Sequence, residues 1–205
     1  MSWYEERILP SLINVACSTK PTRRQREKIV PRASGDVLEI GFGSGLNLPY
    51  YDRARVRRIW GLEPSVGMRR LARDAISRRS LEVELIDLPG EEIPLDDNSV
   101  DTVLVTYTLC TIPEVVRALE GMRRVLKPEG ELLYCEHGKA PDPGVLKWQE
   151  RLNPAWKRFS GGCNIHRDIP AILNESGFVV EDDNRMYLPG LRALSYNYWG
   201  AARIR

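Results

Sequence analysis

The sequence predicts an α/β fold: a mostly parallel, seven-stranded sheet with helices on both faces, an N-terminal helical lid, and a helical cap inserted after the fifth strand. Three observations predict it. Short apolar runs alternate with segments of helical period, the arrangement that gives parallel strands joined by crossovers. Val100 to Thr106 is nearly all apolar after Asp101 and Thr102, as a strand buried on both faces requires. Finally, Val37-Leu38-Glu39-Ile40 runs straight into a loop with glycine at alternate positions, Gly41, Gly43 and Gly45. Glycine lets a backbone turn tightly and approach a ligand with no Cβ in the way, and open α/β sheets bind ligands beyond the carboxyl ends of their strands.

The 205 residues suit a single domain, with 1–34 as the lid and 141–165 as the cap insertion. Hydrophobic content of 42% and charged content of 28% fit a soluble globular protein. A net charge of +2 is too weak to argue for nucleic acid. Cys17, Cys110, Cys135 and Cys163 are widely spaced with no C-x-x-C pair, which disfavours zinc and a disulfide framework, so no metal is expected. The N-terminus lacks the basic and apolar regions of a secretory signal. No stretch approaches the ~18 apolar residues of a spanning helix, so the cytoplasm is the expected location, and the chain is expected to be a monomer or homodimer.

Trp3 to Ala16 reads as a helix with Ile8, Leu9, Leu12, Ile13 and Ala16 at helical spacing, in which Pro10 marks a kink or restart. Thr22 to Val30 is a second, basic helix, and Arg23, Arg24, Arg26 and Lys28 read as its solvated face. Val37 to Ile40 is the first strand and Arg57 to Leu62 the second. Ser65 caps a helix reaching Ser77, with Val66, Met68, Leu71, Ala72, Ala75 and Ile76 inward. Leu81 to Ile86 is the third strand, near an edge. After the fourth strand, Pro113 to Leu126 is a helix with Val115, Val116, Leu119, Met122, Val125 and Leu126 inward and proline in its first turn. Lys127 to Gly130 is a turn and Glu131 to Cys135 the fifth strand. Pro141 to Ser160 breaks the rhythm as the cap. His166 to Ser176 is a helix ended by Gly177, and Phe178 to Glu181 and Ser195 to Ile204 form a closing pair of strands.

The glycine loop needs partners to become a site. Glu63 ends the second strand about 20 residues past the glycines, where an acid accepts ribose hydroxyls. A dinucleotide-dependent oxidoreductase is the obvious alternative. Against it, the third glycine comes one residue early and Pro49 interrupts the following helix. An RNA-binding enzyme has only the arginines Arg23, Arg24, Arg26, Arg53, Arg55, Arg57 and Arg58 in its support.

The order of VLEIGFGSG, the acid in GLEPS, GEEIPLDDNSVD and RRVLKPEGELL resembles the class I S-adenosylmethionine-dependent methyltransferases, over about Gly35 to the C-terminus. LCTI, CEH, NPAW and GCNIHR are more specifically similar to the small thiol methyltransferase-like (type 11) group. Animal members of that group carry an N-terminal membrane anchor that is not legible here. The resemblance implies a Rossmann-like fold, S-adenosylmethionine (SAM) as cofactor and a small-molecule methyl acceptor, with no nucleic acid and no membrane span.

It also implies roles. Gly41, Phe42, Gly43, Gly45 and Asn47 form the donor loop, and Glu39 orders it or receives the amino group. Glu63 takes the ribose diol, with Pro64, Ser65 and Met68 toward the adenine. Gly90 and Glu91 form the adenine-edge loop; the aspartate of many relatives is Pro89 here. Thr106 holds the methionine amine through its carbonyl, and Tyr107 and Leu109 face the methyl.

Methyl transfer is an in-line displacement on an activated donor, so proximity and alignment dominate. A thiol, with pKa near ~8.5, needs little help from a base; a phenol near ~10 needs more. The candidate acceptor-side residues are His137, which would relay a proton, with Tyr107, Trp156 and Cys163. His166 and Phe159 are further candidates, and Cys110 and Cys135 read as packing residues. The expected reaction is S-methylation of a small apolar thiol. O- or N-methylation of a quinone- or lipid-like molecule, or a non-catalytic SAM-binding regulator, are the alternatives.

Overall fold

The computed structural model describes residues 9–205; the predicted helical residues from Trp3 to Ile8 lie outside them. In chain order the elements are α1 (Leu9–Cys17), α2 (Lys20–Ile29), a 3-10 turn (Val30–Arg32), β1 (Gly35–Ile40), a second 3-10 turn (Leu48–Tyr50), β2 (Val56–Leu62), α3 (Val66–Ile76), β3 (Glu82–Ile86), β4 (Val100–Thr106), α4 (Val115–Val125), β5 (Leu126–His137), α5 (Pro143–Phe159), α6 (Ile169–Glu175), β6 (Phe178–Tyr187), α7 (Arg192–Ser195) and β7 (Tyr196–Ile204). The strands form one seven-stranded sheet in the order β3-β2-β1-β4-β5-β7-β6. β7 runs antiparallel to both β5 and β6, and every other pairing is parallel. This is the mostly parallel, Rossmann-like sheet that the sequence predicts, with β3 at an edge.

Consecutive residues of the central strands serve opposite faces, as the period of two demands. Leu38, Val103, Val105 and Leu132 pack on one side with Leu119 and Met122 of α4 and Leu173 of α6. Val37, Leu104 and Leu133 pack on the other with Ile29 of α2 and Ala72 of α3. The chain leaves β1 toward β2 and β3, then returns to lay β4 and β5 on its other flank. The strand order reverses between β1 and β4, and such sheets hold ligands at the carboxyl ends of the strands at this switch point.

Several boundaries differ from expectation. The residues read as a turn, Lys127 to Gly130, belong to β5. Leu126 pairs with Val100 and Glu131 with Thr102, so the intervening residues bulge out of the strand without leaving it. β6 continues past Glu181 to Tyr187 through a similar irregularity between Val180 and Asp182, and its polar sequence suits an edge. α6 starts at Ile169 instead of His166, because the Asp168 side chain caps it by accepting from the Ala171 N–H. α4 starts at Val115, leaving Pro113 in the preceding loop. Val66 and Val116, expected inward, are exposed. Pro10 stands at the second described position of α1, where its missing N–H costs nothing within the described helix. The short helix α7 covers Ser195, which the sequence places in a strand.

Candidate active site

The residues expected on the donor side start at the end of β1. Gly41, Gly43 and Gly45 all have positive φ, 69°, 59° and 81°. They are not interchangeable. A Cβ on Gly41 would lie 2.2 Å from Thr108 Oγ1, whereas one on Gly43 would meet only the Gly41 carbonyl, at 3.8 Å. Gly41 thus serves packing and Gly43 faces open space. Phe42 turns the other way: its ring is buried and covers Gly61, so its side chain belongs to the core and not to the site.

Beneath the loop, Glu39 is buried with both oxygens engaged. Oε1 accepts from Asn47 Nδ2 at 2.8 Å and Oε2 from the Tyr51 hydroxyl at 2.5 Å. Asn47 Nδ2 also reaches Thr106 Oγ1 at 3.0 Å, and Asn47 Oδ1 accepts from Arg26 Nε at 3.0 Å. Burial pushes the Glu39 carboxyl up to about 7, against the pull of Tyr51, Asn47 and the Arg26 charge. Of the two roles the sequence allows, these contacts support ordering of the loop. Arg26 is buried, which corrects its reading as part of a solvated face. It also donates to the Cys17 carbonyl at 2.8 Å and lies 5.1 Å from the Tyr107 ring centre. Through it, and through Ser44 Oγ bonded to Asn14 Oδ1, α1 and α2 cover the glycine loop. Arg23 and Arg24 are exposed, as expected.

Glu63 directly follows β2, almost fully buried. Oε2 accepts the Gly43 N–H and Oε1 the Ser65 N–H, both at 2.9 Å, so the acid ties the glycine loop to the start of α3. Burial raises its pKa while those two N–H groups oppose the shift. Each oxygen keeps a second lone pair for a hydroxyl. Ser65 caps α3 by accepting from Met68 N–H; Met68 is buried and Pro64 exposed beside it. Arg69 went unread in the sequence. It is buried, donates to the Glu63 carbonyl at 2.6 Å and pairs with Asp87, tying the ends of β2 and β3 to α3. Gly90 packs against Ile40 and Ile112, and Glu91 accepts from the Glu114 N–H at 3.3 Å, toward α4.

The residues expected on the acceptor side lie past β4 and β5. Thr106 is buried, and Tyr107 takes φ 55°, a conformation uncommon for a residue with a Cβ and found at functional sites. Its hydroxyl donates to Asn197 Oδ1 at 2.9 Å. Leu109, expected to face the methyl, is fully buried in the core beside α4. Its N–H and that of Thr108 donate to Glu136 Oε1, at 3.0 and 2.6 Å. Glu136 also went unread, although it sits in the CEH run. It is fully buried, Oε2 has no partner among the described residues, and burial raises its pKa to about 7.

His137 ends β5, its ring centre 6.3 Å from that of Tyr107. Its Nε2 lies 3.1 Å from Cys110 Sγ and 3.1 Å from Cys163 Sγ. The sequence reads Cys110 as packing and Cys163 as an acceptor-side candidate; the fold joins both at one imidazole. Burial lowers the His137 pKa to about 4, so the ring is neutral at pH 7 and a weak base. With its Nε2 engaged by both sulfurs, this histidine does not suit the proton-relay role expected of it. Trp156 packs against Cys110, Cys163 and Ile165, and its Nε1 has no partner among the described residues. Phe159 is 71% exposed and lines nothing buried. Cys135 is buried in the core as expected. His166 is half-buried, and its Nδ1 has no partner among the described residues.

A methyltransferase domain family matches residues 38–134. A human thiol S-methyltransferase is 34% identical over 152 residues, covering 71% of this chain and 62% of its own. A phosphatidylethanolamine N-methyltransferase of Cereibacter sphaeroides is 33% identical over 154 residues, covering 74% of this chain and 72% of its own. This chain therefore spans somewhat less than two thirds of the human relative and more of the bacterial one. The structure of a SAM-dependent methyltransferase from Aquifex aeolicus superposes with a TM-score of 0.64 at 22% identity, covering 96% of this chain and 98% of that one. The chain belongs to the class I SAM-dependent methyltransferases, and SAM is its cofactor. The residues present fit that cofactor: Gly43 borders open space beside two buried carboxylate oxygens with lone pairs to spare.

Proposed function

We propose that this methyltransferase acts on a small apolar thiol, and that the two sides of the crevice divide the work. On the donor side Glu63 accepts both ribose hydroxyls. Gly41, Gly43 and Gly45 let the backbone pass beside the ribose and methionine tail, and Pro64, Met68 and Gly90 border the adenine. The Thr106 carbonyl receives the methionine amine. When bound, SAM supplies an electrophilic methyl on a cationic sulfur with a good leaving group. What remains for the protein is alignment and exclusion of water. Helices α1 and α2 serve as the lid, held to the donor loop through Arg26 and Ser44.

One observation carries the acceptor assignment. The acceptor side presents two thiols, a neutral imidazole and an indole around one point, Cys110, Cys163, His137 and Trp156. Such soft, weakly basic surroundings suit an acceptor that ionises readily by itself. A thiolate is already the nucleophile, and its pKa near ~8.5 leaves a few per cent ionised at neutral pH. A phenol near ~10 would need a base stronger than an imidazole held near 4. The similarity to a thiol S-methyltransferase supports the same reading. N-methylation of a lipid amine is the second reading, favoured by the similarity to the bacterial phosphatidylethanolamine enzyme.

Turnover with labelled SAM and matched acceptors tests this: an aryl thiol, the corresponding phenol, and phosphatidylethanolamine in mixed micelles. The thiol is expected to lead near pH 7, its rate rising toward the thiol pKa. A phenol or the lipid amine outpacing the thiol at pH 7 overturns the thiol assignment and leaves the methyltransferase assignment intact.

A further inference from the structure

We propose that Cys110, His137 and Cys163 form a binding site for a soft divalent metal, zinc by its chemistry, with a fourth position open to the sulfur of a thiol. The three donor atoms come from three separate segments: the loop after β4, the end of β5 and the loop after α5. Each offers one ligand atom, and all three lie within 4.8 Å of one another. Cys110 and Cys163 are almost wholly buried.

Hydrogen bonding alone leaves this cluster poorly satisfied. Neutral Nε2 has one lone pair or one proton, yet both sulfurs approach it to 3.1 Å. A metal ion satisfies all three at once. Zinc–sulfur bonds near ~2.3 Å and a zinc–nitrogen bond near ~2.0 Å at tetrahedral angles put nitrogen and sulfur about 3.5 Å apart. The cluster reaches that by opening a few tenths of an ångström. Two cysteines and a histidine with one vacant position is a composition of catalytic zinc sites; structural sites close all four.

The surroundings hold the ligands in place. The Cys110 carbonyl accepts from Asn164 N–H at 2.8 Å and from Asn164 Nδ2 at 3.1 Å, fastening the Cys163 loop to the Cys110 loop. Asn153 and Gln149 of α5 clamp the next residue, through the Ile165 N–H at 3.0 Å and its carbonyl at 2.8 Å. Glu136 anchors the turn leading to Cys110 through two N–H groups. Such support is what a metal site needs beyond its ligands.

Loading breaks the S–H bonds of Cys110 and Cys163. Each electron pair stays on sulfur and forms a metal–sulfur bond, and two protons go to solvent. A thiol entering the fourth position releases its proton in the same way and is held as thiolate. This last element rests on the thiol reading above; the three-residue site does not.

The test uses the full chain, purified under reducing conditions, loaded with Zn²⁺ or Co²⁺ and desalted. We expect about one equivalent of zinc to be retained. The cobalt form should show a thiolate-to-metal band in the near ultraviolet and strong tetrahedral visible bands. Cys110→Ser, Cys163→Ser and His137→Ala should each lower retention at least tenfold. Cys135→Ser, which removes a buried thiol outside the cluster, should keep both metal and spectrum, and circular dichroism checks that every variant folds. Background zinc and no cobalt spectrum in the folded parent overturn the site, as does full retention in folded Cys110→Ser or Cys163→Ser. An aryl thiol should shift the cobalt visible bands. Unmoved bands during normal thiol methylation overturn the open position. A phenol leading the acceptor panel sinks the thiol reading while the cobalt spectrum of the three residues still stands.

Discussion

The donor and acceptor sides of the crevice are built differently. On the donor side, the two buried acids bond to neighbours close in sequence, and Asn47, which also reaches Thr106, is the long-range exception. Glu39 meets Asn47 and Tyr51, eight and twelve residues on, and Glu63 meets Ser65 two residues on and Gly43 twenty back. Nearly every polar atom has a partner, and most partners are backbone N–H groups or short polar side chains. On the acceptor side the contacts are long-range. His137 meets Cys110 and Cys163 at separations of 27 and 26 residues, and Tyr107 meets Asn197 at 90. That side also keeps buried atoms with no partner among the described residues, Glu136 Oε2, Trp156 Nε1 and His166 Nδ1. The difference teaches how such an enzyme varies. Under the proposed function, a fixed cofactor would be met by a local polar scaffold and an acceptor by side chains gathered from separate segments, which can change independently.

If the donor scaffold is a buried polar network, its largest signature is a pH dependence. The folded Glu39 carboxyl sits at about 7 against an ordinary 4.5. The stability of the neutral form is therefore fully present below pH 4.5 and is lost as pH rises through about 7. At 1.36 kcal/mol per unit this is up to about 3 kcal/mol. Glu39→Gln, whose amide still bonds Asn47 and Tyr51, should lose much less stability between pH 4.5 and 8 than the parent. Parallel losses in chemical denaturation would show that Glu39 is not the source.

Next in size is cofactor affinity. Glu63→Ala should weaken SAM binding by about 1.5–3 kcal/mol, roughly 10- to 150-fold, because charge-assisted hydrogen bonds are lost. Calorimetry reads it directly, and unchanged affinity would remove Glu63 from the ribose site. The glycines sharpen the point. Gly43→Ala should leave folding nearly intact, at about 1 kcal/mol for its left-handed backbone, yet weaken SAM binding. Gly41→Ala should lower stability more, because its Cβ meets Thr108.

Arg26→Ala should destabilise the fold by about 1–2 kcal/mol, since Asn47 Oδ1 and the Cys17 carbonyl lose their donor. Exposed Arg23→Ala, on the same helix, should stay within about 0.5 kcal/mol. Equal effects would mean that the helix contributes no polar anchor. The smallest expected effect is dynamic. Amides of α1 and α2 should exchange more slowly with S-adenosylhomocysteine bound, as for a closing lid. Equal exchange with and without ligand would make these helices fixed scaffold.

The sequence by itself determined the sheet, its parallel core and the local contacts around the glycine loop. Strand period, helix period and glycine spacing are local patterns, and the pairing of Glu63 with the glycine loop follows once the strands lie side by side. Ser65 as a cap and Val100 to Thr106 as a doubly buried strand were legible for the same reason. Only the tertiary structure decided which basic residue of α2 turns inward. Arg23, Arg24, Arg26 and Lys28 look alike along the chain, and burial of Arg26 depends on Asn47 arriving beneath it. It also decided that Leu109 belongs to the core, that Arg69 and Glu136 hold the strand ends, and that Cys110, His137 and Cys163 meet. Their spacing along the chain argues against a metal, because sequence motifs register ligands that share a turn or a knuckle. Residues gathered from two loops and a strand end leave no periodic trace, since it is the packing of the loops after β4 and α5 against the end of β5, and not any local propensity, that brings them together.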